Sequence, residues 1–166
     1  MLKPVDLIVL AYLVTGPPEW TQNSVAHALG ISQSNVHRAL RQLRACQLLG
    51  PDHRPLVRPL RELLVHAVRH IYPAKLGPPA RGVPTSHSAP MLSDMVRATD
   101  ALVWPADFGT VMGTSIKPLH EGVPKVALEN AQFHELLALI DVFRVGRVRE
   151  RKAAELRLDT LLAVSA

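Results

Sequence analysis

Gln33, Ser34 and Asn35 stand in a row, His37 and Arg38 follow, and Arg41 and Arg44 repeat the positive charge at three-residue intervals. An amide side chain presents a donor beside an acceptor, the pair that matches the exposed edge of adenine. A guanidinium presents two parallel donors, the pair that matches guanine. Gln33, Ser34, Asn35, His37 and Arg38 are therefore the candidates for contacting bases. Arg41 and Arg44, further along, suit phosphate oxygens, whose attraction depends on salt and is blind to base identity. Thr21, Gln22 and Asn23 add small polar groups upstream, and Arg54 adds a guanidinium in a later turn; all four are candidate phosphate contacts.

The elements that must hold these side chains are legible in the stretch QNSVAHALGISQSNVHRALRQ. Val25, Ala26 and Leu29 make the inner face of a short helix, capped by Thr21 or a neighbour. Gly30 ends it, since a residue without a Cβ takes the left-handed cap cheaply. Ile31 plugs the turn, and Ser32 caps a second helix whose buried stripe is Val36, Ala39, Leu40 and Leu43. Residues Ser32 to Cys46 form that second helix, and its polar face must point outward. Pro4 to Val14 reads as a preceding, largely buried helix. This is the pattern of a helix-turn-helix whose second helix enters a DNA major groove.

Downstream, Cys46 to Gly50, a Pro/Asp/His/Arg turn and Leu56 to Arg58 read as a short β-hairpin. Three helices followed by such a hairpin resemble the bacterial winged helix-turn-helix regulators of the broad MarR-like kind, over roughly residues 2–59. The departure is a very short hairpin, with little room for long strands. The resemblance implies a DNA-binding transcriptional regulator, a repressor or autoregulator, acting on double-stranded DNA.

The composition admits this. Across 166 residues the chain is 48% hydrophobic and 20% charged, with a net charge of +5, so a sizeable core is available and a polyanionic partner is suited. Basic residues cluster from His37 to Arg61, and a second run spans Arg144 to Lys152. The only cysteine, Cys46, excludes an intramolecular disulfide and reads as a core or hinge residue on the apolar side. The apolar run Val5–Val14 is too short to span a bilayer and lacks the leader and cleavage site of a signal peptide, so a cytoplasmic protein with no membrane partner is expected.

The fold expected is mainly α, in two parts: residues 1–59 as the DNA-binding domain and 60–166 as a helical C-terminal region. Pro59 to Ile71 carries Leu60, Leu63, Leu64, Ala67, Val68 and Ile71 at helical spacing. From 72 to 125 proline and glycine are too frequent for a helix or a central strand, so long irregular loops are expected. A short helix from Met91 to Ala98 and a short strand over Ala101 to Trp104 are the exceptions. Phe133–Val145 and Arg149–Ala163, the latter with Ala153, Leu156, Leu158, Leu161 and Leu162, read as helices that either form a dimer interface or close an internal core.

Other chemistry is less well supported. His66 and His70, four apart, share a helix face as metal ligands would, but the third ligand is not fixed among His87, His120, His134 and Glu62. Ser86-His87-Ser88 lacks an oriented carboxylate, and Gly109 to Thr114 lacks the Gly-Lys-Ser/Thr ending of a phosphate loop. No enzyme activity, metal or cofactor is expected. A single helix-turn-helix reads few base pairs, which favours a homodimer on paired half-sites. The alternative is an antitoxin-like or adaptor protein whose C-terminal region grips a protein partner, with DNA binding secondary.

Overall fold

Lys3 and Asp6 start the first helix: the Lys3 backbone N–H donates to the Asp6 carboxylate at 2.8 Å, and Pro4 fills a first-turn position where its missing N–H costs nothing. In the computed structural model, which describes residues 1–97 and 100–165, this helix α1 (Pro4–Thr15) is buried from Asp6 to Ala11 without a break. Helices α2 (Gln22–Leu29) and α3 (Gln33–Ala45) pack against it. Val25, Ala26 and Leu29, then Val36, Ala39, Leu40 and Leu43, are the buried residues of these two helices, as their spacing predicts.

After α3 the expectation of a hairpin shrinks to one bridge between Leu49 and Pro55. Gly50 N–H donates to the Arg54 carbonyl and Leu56 N–H to the Leu48 carbonyl, both at 2.9 Å, and pairing stops there. Pro55 has no N–H to extend a ladder, and Val57 and Arg58, expected in a second strand, instead begin a helix. That helix, α4 (Val57–Glu62), runs through a π-helical segment (Leu63–Ala67) into α5 (Val68–Ile71). The wider turn slows the rotation of side chains around the axis. A four-residue repeat, Leu60, Leu64, Val68 and Tyr72, is consequently buried, while Ile71, expected inside, is exposed. Cys46 is also exposed, because α3 ends at Ala45 and Gln47, at φ 58°, turns the chain so that Leu48 takes the buried place.

The stretch expected to be irregular contains a sheet. β1 (Leu76–Pro84) pairs antiparallel with both β2 (Leu102–Pro105) and β3 (Val111–Ile116), and β2 pairs parallel with β3, closing a three-stranded barrel. The prolines that argued against a central strand are accommodated by a register shift between Leu76 and Pro79. Glycine makes the closure possible: a Cβ on Gly82 would overlap the Trp104 carbonyl, and one on Gly109 would overlap the Gly82 backbone. The expected strand at Ala101–Trp104 is present as β2. Ala98, the end of the short helix expected from Met91, lies outside the described residues; a 3-10 turn, Pro90–Leu92, is what stands at its start.

Three more helices follow: α6 (Val123–Glu129), α7 (Ala131–Val145) and α8 (Val148–Ser165). The Asn130 side chain caps α7 by accepting from Phe133 N–H at 3.0 Å. Every residue of α7 from Leu136 to Phe143 is buried, and the helix touches α1, α5, α6 and α8. Its apolar side chains thus close the chain's own core. Among the described side chains of α8 the buried positions are Ala154, Leu158, Leu161 and Leu162; Leu156, expected among them, is two residues out of phase and 73% exposed.

Inside this core Asp141 is buried, and it accepts from Thr85 Oγ1 at 2.7 Å, Trp104 Nε1 at 2.8 Å and Arg144 Nη1 at 2.9 Å. Burial pushes its carboxyl above the usual range, against the opposing pull of Arg144 and the hydrogen bonds. Arg144 also donates to the Tyr72 carbonyl at 2.8 Å, so one ion pair ties α7 to the barrel and to the end of α5.

Candidate nucleic-acid interface

Two caps set the angle between α2 and α3. Thr21 Oγ1 accepts from Ser24 N–H at 3.0 Å while Ser24 Oγ accepts from Thr21 N–H at 2.9 Å, a reciprocal capping box. Gly30 sits at φ +66°, and Ser32 Oγ accepts from Asn35 N–H at 3.2 Å to start α3. With the apolar stripe turned inward, Gln33, Ser34, Asn35 and His37 are exposed on the first turns of α3, and Arg41 and Arg44 are exposed further along. Thr21 and Asn23 are exposed and Gln22 half-buried at the start of α2. Neither Arg41 nor Arg44 joins an ion pair among the described residues.

Arg38 is placed differently from its neighbours. Its guanidinium lies 3.2 Å from the carboxylate of Asp6, a residue of α1 with no exposure, and its own side chain is 37% exposed. Helical spacing alone places Arg38 outward and assigns no partner to Asp6. The available signal was a lone acidic residue inside the apolar run of α1, where an unpaired charge would be costly. Among the described residues Asp6 Oδ1 has the ion pair but no aligned hydrogen bond, and the nearby Tyr72 hydroxyl is buried without a partner. Burial, aided by Asp6 and Cys46, pushes the Tyr72 phenol up to about 12.

The turn after α3 is held by its own contacts. Arg54 N–H donates to Asp52 Oδ1 at 3.1 Å, and the Arg54 guanidinium pairs loosely with Asp52 at 3.5 Å while remaining 86% exposed. His53 packs edge-on to Trp20, with ring centroids 6.4 Å apart, which fixes the turn against the loop before α2. Arg54 therefore stands on a braced turn, but the single bridge gives it a short reach. Elsewhere, His66 and His70 are both exposed, and no three potential metal ligands come together among the described residues. Of the second basic run, Arg144 is taken up by Asp141 and Arg151 donates to the Gly146 carbonyl, leaving Arg147, Arg149 and Lys152 exposed.

Three helices, a left-handed glycine between the second and third, and an exposed polar face on the third decide what this unit is similar to. Residues 7–53 match the IclR helix-turn-helix domain. The match covers under a third of the chain and carries the implication of a DNA-binding transcriptional regulator, a class typically without enzymatic activity. It supports a helix-turn-helix regulator and lends no support of its own to the MarR-like resemblance. No curated protein and no solved structure matches the chain. Among the described residues no helix is long and apolar enough to cross a membrane.

Proposed function

We propose that the chain is a sequence-specific regulator of transcription, a repressor or autoregulator, in which α3 lies in the major groove of double-stranded DNA. The observation that carries this reading is the exposed row Gln33, Ser34, Asn35 and His37, held on the first turns of α3 by the Gly30 and Ser32 caps. These side chains read base edges, and Arg38 joins them from its place beside Asp6. Thr21, Gln22, Asn23, Arg41, Arg44 and Arg54 hold phosphates. Residues 1–59 form the DNA-contacting part and 60–166 the part that pairs with a second copy. For that pairing α8 offers Val148 and Leu156, both large, apolar and exposed.

Gel-shift titration against DNA selected from a random pool tests the assignment. Asn35→Ala is expected to relax preference at one base position, at a cost of about 1–3 kcal/mol against the best site. The Arg41→Ala/Arg44→Ala variant should weaken binding to every sequence and lower the slope of log affinity on log salt by about 2. Wild-type affinity and slope in both variants would contradict the groove assignment.

A second reading has its own observation. Leu76, Phe108 and Met112 are exposed on and beside the barrel, which lies outside the matched domain. An antitoxin-like or adaptor protein that grips a partner through residues 60–166 would use such a surface, and would still bind DNA as a secondary activity. Co-purification of a stoichiometric partner that is lost in Met112→Glu would favour it.

A further inference from the structure

Two buried groups close to α3 each lack the partner that the other could supply. Asp6, fully buried on α1, uses Oδ2 to accept from the Lys3 backbone N–H at 2.8 Å. Its Oδ1 lies 3.2 Å from Arg38 Nη1 and, among the described residues, receives no aligned hydrogen bond. The Tyr72 hydroxyl, at the end of α5, is buried and has no partner among the described residues. Burial, with the Asp6 and Cys46 charges close by, raises the phenol pKa, so the hydroxyl keeps its proton and can donate at neutral pH. A buried acceptor short of a donor and a buried donor short of an acceptor are each costly.

Arg38 stands between this pair and solvent. Guanine O6 and N7 offer a guanidinium two aligned acceptors, whereas Asp6 gives it no aligned hydrogen bond. The obstacle to exchange is Asp6 itself, a buried carboxylate that would be left uncompensated. We propose, resting on the function proposed above, that Tyr72 is a positioning residue for base readout: when Arg38 turns to a base edge, the Tyr72 hydroxyl donates to Asp6 Oδ1 in its place. The hydroxyl does not replace the positive charge. It supplies the hydrogen bond that the carboxylate lacks, which lowers the cost of releasing the guanidinium. The backbone of Tyr72 is fixed for this: its carbonyl accepts from Arg144 Nε at 2.8 Å, and Arg144 pairs with Asp141, which Thr85 and Trp104 also bind. Asp6 is fixed in turn by Lys3. Of the three side chains only that of Arg38 has a partly exposed end, and it is the one that moves.

Tyr72→Phe removes the hydroxyl and keeps the ring in the core. In gel-shift titration it should lower discrimination at the base pair read by Arg38 by about fivefold and leave affinity for unrelated DNA unchanged. That base pair is the one at which Arg38→Ala relaxes preference. A merely structural role for Tyr72 would weaken binding to all DNA alike. Asp6→Asn keeps an acceptor for Lys3 and removes the charge that holds Arg38, so in that background Tyr72→Phe should have no further effect on discrimination. A second measurement leaves Asp6, Arg38 and Tyr72 intact. The chain has two tyrosines, Tyr12 and Tyr72, and with carbon-13 at the ring Cζ the signal that survives in Tyr12→Phe belongs to Tyr72. It should shift when the selected site is added and stay in place with unrelated DNA. Unchanged discrimination in Tyr72→Phe, an equal loss in the Asp6→Asn background, or a Tyr72 signal that ignores the selected site would overturn the role of Tyr72 and leave the groove assignment standing. Failure to select any DNA site would overturn the regulator reading, and the role of Tyr72 with it.

Discussion

Arg38 does two jobs that pull in different directions. Its pairing with Asp6 compensates a carboxylate that has no other charged partner among the described residues, and its exposed part stands at the rim of the face proposed to meet DNA. Removing the guanidinium leaves Asp6 buried and uncompensated, so Arg38→Ala should lower stability by about 1–3 kcal/mol in urea denaturation, with the partial exposure of Arg38 holding the loss below that of a fully buried pair. Arg41→Ala, at an exposed position, should stay within about 0.5 kcal/mol of wild type. Equal losses in the two variants would show that the Asp6 pair contributes nothing. His134 gives a second residue-scale test. Burial holds its imidazole pKa below the ordinary value, against the opposing hydrogen bond to the Pro84 carbonyl. The unfolded chain therefore binds more protons than the folded one as pH falls below about 6.5, and stability declines through that window until the folded-state value is passed. Asp141, with its carboxyl pushed up by burial, acts with the opposite sign, favouring the folded chain as pH falls toward the raised value. His134→Gln leaves Asp141 in place and keeps a donor for Pro84, so its melting temperature should fall less than that of wild type between pH 7.5 and pH 5.5. Parallel declines would rule His134 out as the cause. Neither Asp6 nor His134 stood out in the sequence, because their roles come from neighbours more than thirty residues away.

At the level of elements, two glycines show why the helices were legible and the barrel was not. Gly30 acts locally: its φ of +66° ends α2, open space surrounds the missing Cβ, and the residues on either side announce the turn. Gly30→Ala should cost about 1 kcal/mol, the backbone penalty alone, in chemical denaturation. Gly82 acts through strands that are distant in sequence. A Cβ there would overlap the Trp104 carbonyl across the β1–β2 pair, and backbone on both sides leaves no flexible group to yield. Gly82→Ala should therefore cost more than about 3 kcal/mol or prevent folding, with loss of near-ultraviolet signal from Trp104 as the readout. Losses of the same size at both positions would mean that the barrel gives way at little cost. Helix periodicity and caps are written within a turn of the residues they govern, which is why α1, α3 and α7 fall close to their expected bounds. The barrel depends on which prolines meet a register shift and which glycines meet a carbonyl, and nothing within β1 itself specifies either. The π-helical segment between α4 and α5 escaped notice for the same reason, and with it the outward turn of Ile71.

Across the whole molecule the helix-turn-helix does not stand apart from the rest. An amphipathic α1 could close a three-helix unit by itself, but α1 buries Leu7, Ile8, Val9, Leu10 and Ala11 in succession, more than one face of a helix. Packing against α2 and α3 covers one side, and α7 covers much of the other. Residues 1–59 taken alone would expose the α7-facing side of α1 to water. A few such side chains at about 1.5–3 kcal/mol each would remove most of the stability that so small a unit can have. A fragment ending at residue 59 is accordingly expected to aggregate or to lack cooperative melting by circular dichroism, whereas the full chain should melt in a single transition in which the helical signal and the Trp104 signal coincide. Two separated transitions in the full chain, or a soluble fragment with a sharp melt of its own, would show that the shared core is not what holds α1.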